Sequence, residues 1–261
     1  LRRSAPNERV SLLAAVLAAA LLLVSCGGPY TAVRVAIPDE KLRVADGLFE
    51  RGKFSTALAE YKDFLAVFAG DERGDYAQFR VAECYRMMKD YALAGVEYRI
   101  LINDYGYSEY VDDAFFLDGL CSLRMSQRPE RDQTSTYDAL TKIKRFLQLF
   151  PDSPRRPEAQ EALAEIEDTL GKKAWDAAQL YFRGKHYGAA EVYFDKIVRE
   201  YPETQWAARS WYYKGVIEER RGETAAAAEA YSKVVRSAQE VPEKRRAQER
   251  LRELSKEDPG G

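Results

Sequence analysis

The sequence predicts an all-α fold: a right-handed superhelical array of about five helix pairs with a long central helix. Three observations predict it. From Asp39 onward, apolar residues recur at three- and four-residue steps, the helical period, and no segment alternates as a strand would. The helices form pairs whose key residues repeat 37 positions apart where the pattern is clean. One apolar stripe runs through residues 157–183, so a single long helix is expected there.

The elements follow in order. Arg2, Arg3 and Arg9 precede an apolar run from Val10 to Val24. A basic start and a short apolar stretch describe an export signal. The run falls short of the roughly 20 residues a membrane span needs. It ends in Leu23-Val24-Ser25-Cys26, which resembles a bacterial lipobox. That resemblance implies removal of residues 1–25 and acylation of Cys26. Residues 26–38 read as the lipidated Cys and an extended tether, with Gly and Pro and no helical period.

The second helices of the pairs carry Phe54, Ala57, Tyr61 and Phe64, then Tyr91, Ala94, Tyr98 and Leu101. Ala139 and Phe146 keep the frame in the third pair, Tyr187, Ala190, Phe194 and Ile197 in the fourth, and Ala227, Tyr231 and Val234 in the fifth. The first helices place Ala45, Ala82, Gly119, Ala178 and Gly215 at one position, where a larger side chain would wedge the pair apart. Gly52-Lys53, Gly184-Lys185 and Arg221-Gly222 mark tight turns in which Gly is expected to supply the positive φ. Pro151 and Pro202 close the third and fourth pairs. The spacing of small residue, Ala, aromatic and Pro resembles the tetratricopeptide repeat, whose usual period is 34 residues.

Two departures stand out. The third pair carries a polar insertion at residues 124–136, expected as a surface loop. The long helix carries Ala162, Leu163, Ile166, Leu170, Ala174, Ala177 and Ala178 on one face, with Gly171 weakening it without breaking it. Residues 39–152 then form the N-terminal repeats, 153–242 the long helix and C-terminal repeats, and 243–261 a charged capping helix with a frayed tail.

Composition excludes several functions. The chain holds 40 Lys and Arg against 42 Asp and Glu. Without residues 1–25, which hold three Arg and one Glu, 37 basic residues face 41 acidic ones, no footprint for nucleic acid. The lone histidine, His186, sits in a turn. No zinc spacing, phosphate loop or nucleophile elbow occurs, so no catalytic or metal-binding residue is assigned and a non-enzymatic role is expected. No cofactor is expected beyond the covalent lipid on Cys26. Cys84 and Cys121 occupy equivalent places in successive repeats and read as buried small apolar residues or as a disulfide pair.

Three residues before each small position stand Leu42, Phe79, Phe116, Trp175 and Tyr212. Four residues after it come Phe49, Arg86, Leu123, Phe182 and Glu219, while Tyr76 and Arg209 lie six before it. Two readings are open. Phe49, Tyr76, Phe79, Arg86, Phe116, Trp175 and Tyr212 line a groove that accepts a peptide, or the rings pack as core between first helices.

The lipobox, tether, five pairs, third-pair loop and long helix together resemble the BamD family, lipoproteins of the outer-membrane β-barrel assembly machinery. The most specific stretch is Lys173-Ala174-Trp175-Asp176-Ala177-Ala178-Gln179-Leu180-Tyr181-Phe182-Arg183-Gly184, followed by Tyr187, Ala190 and Arg199-Glu200-Tyr201-Pro202. The loop keeps Arg131-Asp132-Gln133 without a Pro there. The resemblance implies an acyl anchor at Cys26 on the periplasmic face of the outer membrane, with Gly27 after it permitting outer-membrane sorting. It implies that the C-terminal repeats dock the barrel component BamA, with Arg209, Glu219 and Arg220 on the docking face. It implies that the N-terminal groove receives unfolded outer-membrane proteins, with other assembly lipoproteins as further partners. The alternatives are a periplasmic repeat protein coordinating cell-wall synthesis or division, and a pilus- or secretin-assembly lipoprotein. The former often carries an N-terminal coiled coil and lacks a lipid, unlike this sequence.

Overall fold

The structure, a computed structural model, describes residues 37–257. The leader, Cys26 and all but the end of the tether lie outside the described residues, as does the tail from Asp258. Eleven helices are described, and no strand occurs among the described residues. They are α1 (Pro38–Glu50), α2 (Phe54–Val67), α3 (Gly74–Met87), α4 (Tyr91–Asp104), α5 (Val111–Arg124), α6 (Thr134–Leu149), α7 (Arg156–Arg183), α8 (Tyr187–Glu200), α9 (Gln205–Arg221), α10 (Thr224–Arg236) and α11 (Glu243–Glu257). Each helix packs mainly on its neighbours in the chain, which makes five antiparallel pairs and a terminal helix, the tetratricopeptide arrangement.

The repeated positions explain the packing. Three positions on every second helix are fully buried: Ala57, Tyr61 and Phe64 on α2; Ala94, Tyr98 and Leu101 on α4; Ala139, Ile143 and Phe146 on α6; Ala190, Phe194 and Ile197 on α8; Ala227, Tyr231 and Val234 on α10. The middle one meets the small residue of the first helix. A Cβ on Gly119 would stand 2.7 Å from Ile143 Cδ1, and one on Gly215 would stand 2.6 Å from the Tyr231 ring. The predicted small position is therefore the closest approach within these pairs.

The turns inside four pairs share one geometry. Seven residues after each small residue, at 52, 89, 185 and 222, the backbone turns left-handed. The N–H of that residue bonds back to Phe49, Arg86, Phe182 or Glu219, three residues earlier. At 52 and 222 the residue is Gly, but at the other two it is Lys89 and Lys185, each with φ of 64°. The expectation that Gly184 supplies the positive φ is thus corrected: its φ is −74° and the left-handed residue is Lys185. Each of the first four second helices ends on an aromatic C-cap, Phe68, Tyr105, Phe150 or Tyr201, whose N–H bonds the carbonyl four residues back.

In the third pair the turn is replaced by residues 125–133, one residue inside the expected insertion at its start and three at its end. The buried Gln133 organises this loop: its side-chain amide donates to the Arg128 carbonyl at 2.8 Å and to those of Gln127 and Arg131, and its Oε1 accepts from the Thr136 hydroxyl. Lys173 on α7 reaches across to the Arg131 carbonyl at 2.7 Å and the Pro129 carbonyl at 3.2 Å. The loop is therefore fastened to the long helix.

Helix α7 has 28 residues and starts with Pro157 in its first turn, where the missing N–H costs nothing. Its N-terminal half buries Ala159, Ala162, Ile166 and Leu170 in the core of the second and third pairs. Its C-terminal half buries Ala174, Trp175 and Ala178 in the core of the fourth. Gly171 lies at the junction, where a Cβ would stand 2.9 Å from Trp206 Cδ1. Beyond the fifth pair, α11 closes the array, with Ala247 and Leu254 buried against Tyr231 and Val234.

These contacts set an order of tolerance. Gly215→Ala must displace a fully buried ring and is expected to cost about 1–3 kcal/mol. Gly119→Ala meets the end of the Ile143 side chain and, at 3.3 Å, Lys142 Cβ, and the roughly 1 kcal/mol gained in helix propensity offsets part of that strain. Urea unfolding of both variants measures the difference. Lys185→Gly and Lys89→Gly relieve a left-handed residue and are each expected to stabilise by about 1 kcal/mol, read as a rise in the urea midpoint.

Candidate functional site

On the first-helix side of the N-terminal repeats, two carboxylates recur at equivalent places. Asp46 follows the small Ala45, and Glu83 follows Ala82. Each takes a hydroxyl from the middle tyrosine of its own second helix: Tyr61 donates to Asp46, and Tyr98 to Glu83. Around Asp46 the Tyr76 hydroxyl also donates, at 2.7 Å, and the Arg80 Nε donates to the Tyr61 oxygen at 3.1 Å. The Arg80 guanidinium lies over the Phe49 ring at 3.7 Å, a cation–π contact. Burial and the neighbouring Asp46 push the Tyr76 phenol up to about 12. Phe79 stacks on Tyr110 at 4.9 Å.

Glu83 is held by Arg86 in a bidentate pair at 2.7 and 2.6 Å. Its burial raises its pKa, but the hydrogen bonds from Arg86 and Tyr98 outweigh that and hold it below the ordinary 4.5. Phe49, Tyr76, Phe79 and Arg86 are thus gathered with Asp46 and Arg80 across α1 and α3, each half-buried except Asp46's partner tyrosine, which is core. The arrangement sets half-buried aromatic rings beside paired guanidinium and carboxylate groups.

The expected ladder does not extend along the whole array. Phe116 is 2% exposed, against Phe146, and Trp175 is 5% exposed, against Phe194, Trp206 and Tyr213. Both are core residues, which corrects their assignment to an open groove: each ring turns onto the second helix of its own pair, Phe116 onto Phe146 and Trp175 onto Phe194. Tyr212 is half-buried against Tyr213 and Tyr231.

The expected docking face is also mostly engaged within the chain. Arg209 lies over Trp175 at 4.5 Å and donates to the buried Glu243 at 3.1 Å. Glu219 accepts from Arg250 at 2.9 and 2.7 Å and from Tyr231 at 3.0 Å, which joins α9, α10 and α11. These two residues fasten the terminal helix and are corrected as free docking groups. Arg220 alone of the three is exposed, its guanidinium 5.0 Å from the Tyr187 ring centre.

Asp46, Arg80, Glu243 and Arg250 were not singled out from the sequence. Asp46 and Glu83 were legible as acidic residues 37 positions apart, each directly after a small one. Arg80 and the pairs onto α11 carry no such signal. Where the tyrosine is absent the carboxylate is absent too: Leu120 accompanies Ile143, and Gln179 accompanies Phe194. Facing a ring without a hydroxyl, the buried Gln179 Nε2 has no hydrogen-bond partner.

Cys84 and Cys121 are free and buried, and burial pushes both thiols up to about 12. His186 is an exposed residue preceding α8. No cluster of metal-binding side chains occurs among the described residues, and no described helix is long and apolar enough to cross a membrane.

A family model described as YfiO, outer membrane lipoprotein, matches residues 40–234. The chain belongs to this YfiO outer membrane lipoprotein family. The match begins in α1 and ends on Val234 of α10, so it spans all five helix pairs. Within the wider set of relatives, the outer membrane protein assembly factor BamD of Haemophilus influenzae is 22% identical over 223 residues, covering 82% of this chain and 85% of that protein. Among solved structures, a TPR repeats protein from Bacteroides fragilis is 10% identical with a TM-score of 0.49, covering 85% of this chain and 99% of that one. A tetratricopeptide repeat protein from Parabacteroides merdae is 16% identical with a TM-score of 0.41, covering 86% of each chain.

The YfiO-family chain should be acid-sensitive through Glu83. Because its folded value is depressed, the stability it contributes is fully present above the ordinary 4.5 and is lost as pH falls through the lowered value. Glu83→Gln is expected to cost about 1–3 kcal/mol at neutral pH and to flatten the acid limb of a stability-versus-pH curve. Gln179→Met removes an unpaired buried amide and is expected to be neutral or to stabilise by about 1 kcal/mol, measured by thermal unfolding.

Proposed function

We propose that this protein is a lipid-anchored scaffold of the outer-membrane β-barrel assembly machinery, on the periplasmic face, that docks the barrel component and holds segments of unfolded outer-membrane proteins. The observation that carries the reading is the family match across all five helix pairs; the aromatic and charged groups on α1 and α3 support it. The name of the Haemophilus influenzae relative, an outer membrane protein assembly factor, supports the same role.

The mechanism is mechanical. Acyl chains on Cys26 hold the chain at the membrane, since more than one chain is needed for stable anchoring. The tyrosine–carboxylate locks hold each first helix to its own second helix, and Tyr76 on Asp46 ties α3 to α1, so the aromatic and charged groups of α1 and α3 are pre-ordered before a client arrives. Pre-ordered side chains lose little entropy on binding. Phe49, Tyr76 and Phe79 supply contact area, with Arg80 and Arg86 held beside them by their bonds to Tyr61 and Glu83.

Co-purification from detergent-solubilised envelopes tests the scaffold role: a barrel protein with periplasmic domains is expected with the bait, and recovery of cell-wall enzymes alone would overturn the reading. Cys26→Ser is expected to move the protein from the membrane pellet to the soluble fraction after gentle lysis. Retention of that variant in the pellet would remove the lipid anchor from the proposal.

A further inference from the structure

Between α5 and the N-terminal half of α7 lies a cleft of about 340 Å³. It falls between the groups gathered on α1 and α3 and the C-terminal repeats, and its logic is separate from the scaffold reading. The buried Phe116, Leu123 and Ala162 form its floor, the half-buried Leu120 is its accessible apolar surface, and its edge carries Arg124, Glu158, Glu161 and Glu165.

Two features set it apart. Leu120 occupies the place that Asp46 and Glu83 hold in the first two pairs, so the first-helix face turns apolar here, as it does again only at Val216 of the fifth pair. Ile143 behind it has no hydroxyl to offer, and the lining needs none. The carboxylates stand on the opposite wall, and they outnumber the one cation of the α5 side, the exposed Arg124. From Pro157 to Gly171 the helix carries five carboxylates and no basic residue. Glu158 is paired with Arg155, and Glu167 with Lys144. Glu161 and Glu165 are exposed and have no ion-pair partner among the described residues. Like charges one turn apart on a helix repel, so an unbalanced series costs stability unless something outside neutralises it.

We propose that this cleft is a docking site for a basic amphipathic segment of a partner protein, whose apolar side chains seat on Leu120 and whose flanking Lys or Arg residues meet Glu161 and Glu165. The volume is at the low end of the roughly 300–1,000 Å³ of small-molecule pockets, room for the anchoring side chains of a short segment. An anionic segment meets the carboxylates and is repelled. Charge complementarity of this kind sets partner choice and association rate more than it sets total affinity.

The test uses the full chain and two labelled synthetic peptides of about 15 residues. One is an amphipathic helix with leucines on one face flanked by lysines; the other replaces every lysine with glutamate. Fluorescence anisotropy at low salt is expected to show the lysine peptide binding about tenfold or more tightly than the glutamate peptide, a gap that narrows as salt screens it. Hydrogen exchange is expected to slow in residues 116–124 and 158–166 on binding. The double variant Glu161→Lys, Glu165→Lys changes only exposed side chains and is expected to reverse the preference. An unchanged order in that variant, protection elsewhere in the array, or failure of both peptides to bind would each overturn the proposal. None of these outcomes bears on co-purification of a barrel protein, so the two readings fail independently.

Discussion

The structure depends on one contact repeated along the array: a small residue on the first helix of a pair against a large side chain on the second. Ala45, Ala82, Gly119, Ala178 and Gly215 hold the small place, and Tyr61, Tyr98, Ile143, Phe194 and Tyr231 lie at the buried centre of the facing helix. Dispersion falls off steeply with a small gap, so helix separation is set to a fraction of an ångström at this point. Everything that recurs at 37-residue intervals is positioned from it: the left-handed turn seven residues later, the aromatic C-cap and the carboxylate that meets the tyrosine hydroxyl.

The polar layer sits on top of that contact and differs between the ends of the array. In the first two pairs the tyrosine hydroxyl is satisfied by Asp46 or Glu83, one residue past the small position. In the fifth, Tyr231 donates to Glu219, four residues past it, and Arg250 of α11 shares that carboxylate. The same chemical need is met by a neighbour within the repeat at one end and by a carboxylate shared with the closing helix at the other. This is why groups that look like a free docking face in sequence prove to be the fastening of the last helix.

Much of the architecture could be read from the residues alone. The period, the small positions, the long helix and the loop in the third pair follow from local pattern, because burial and turn chemistry recur at fixed spacing. What could not be read are relations between faces. Phe116 and Trp175 share a register with Phe79, yet the helices close over them, and a one-dimensional pattern does not show how tightly neighbours pack. The turns at 89 and 185 defeated a rule based on glycine, since the surrounding hydrogen bonds hold a lysine in a left-handed conformation. The Arg80–Phe49 and Arg209–Trp175 contacts join residues whose pairing depends on side-chain direction, which composition does not carry.

The long helix α7 has a consequence for how the molecule comes apart. At 1.5 Å per residue its 28 residues run about 42 Å. Its first half completes one core and its second half completes another, with Gly171 and Trp206 interlocked at the seam. Repeat arrays commonly fray from an end, one unit at a time. Here, melting the fourth pair withdraws Ile166, Leu170 and Tyr201 from the core that they share with the pairs before it. The centre of the array, where α7 is shared between two cores, therefore unravels as a cooperative block rather than one pair at a time.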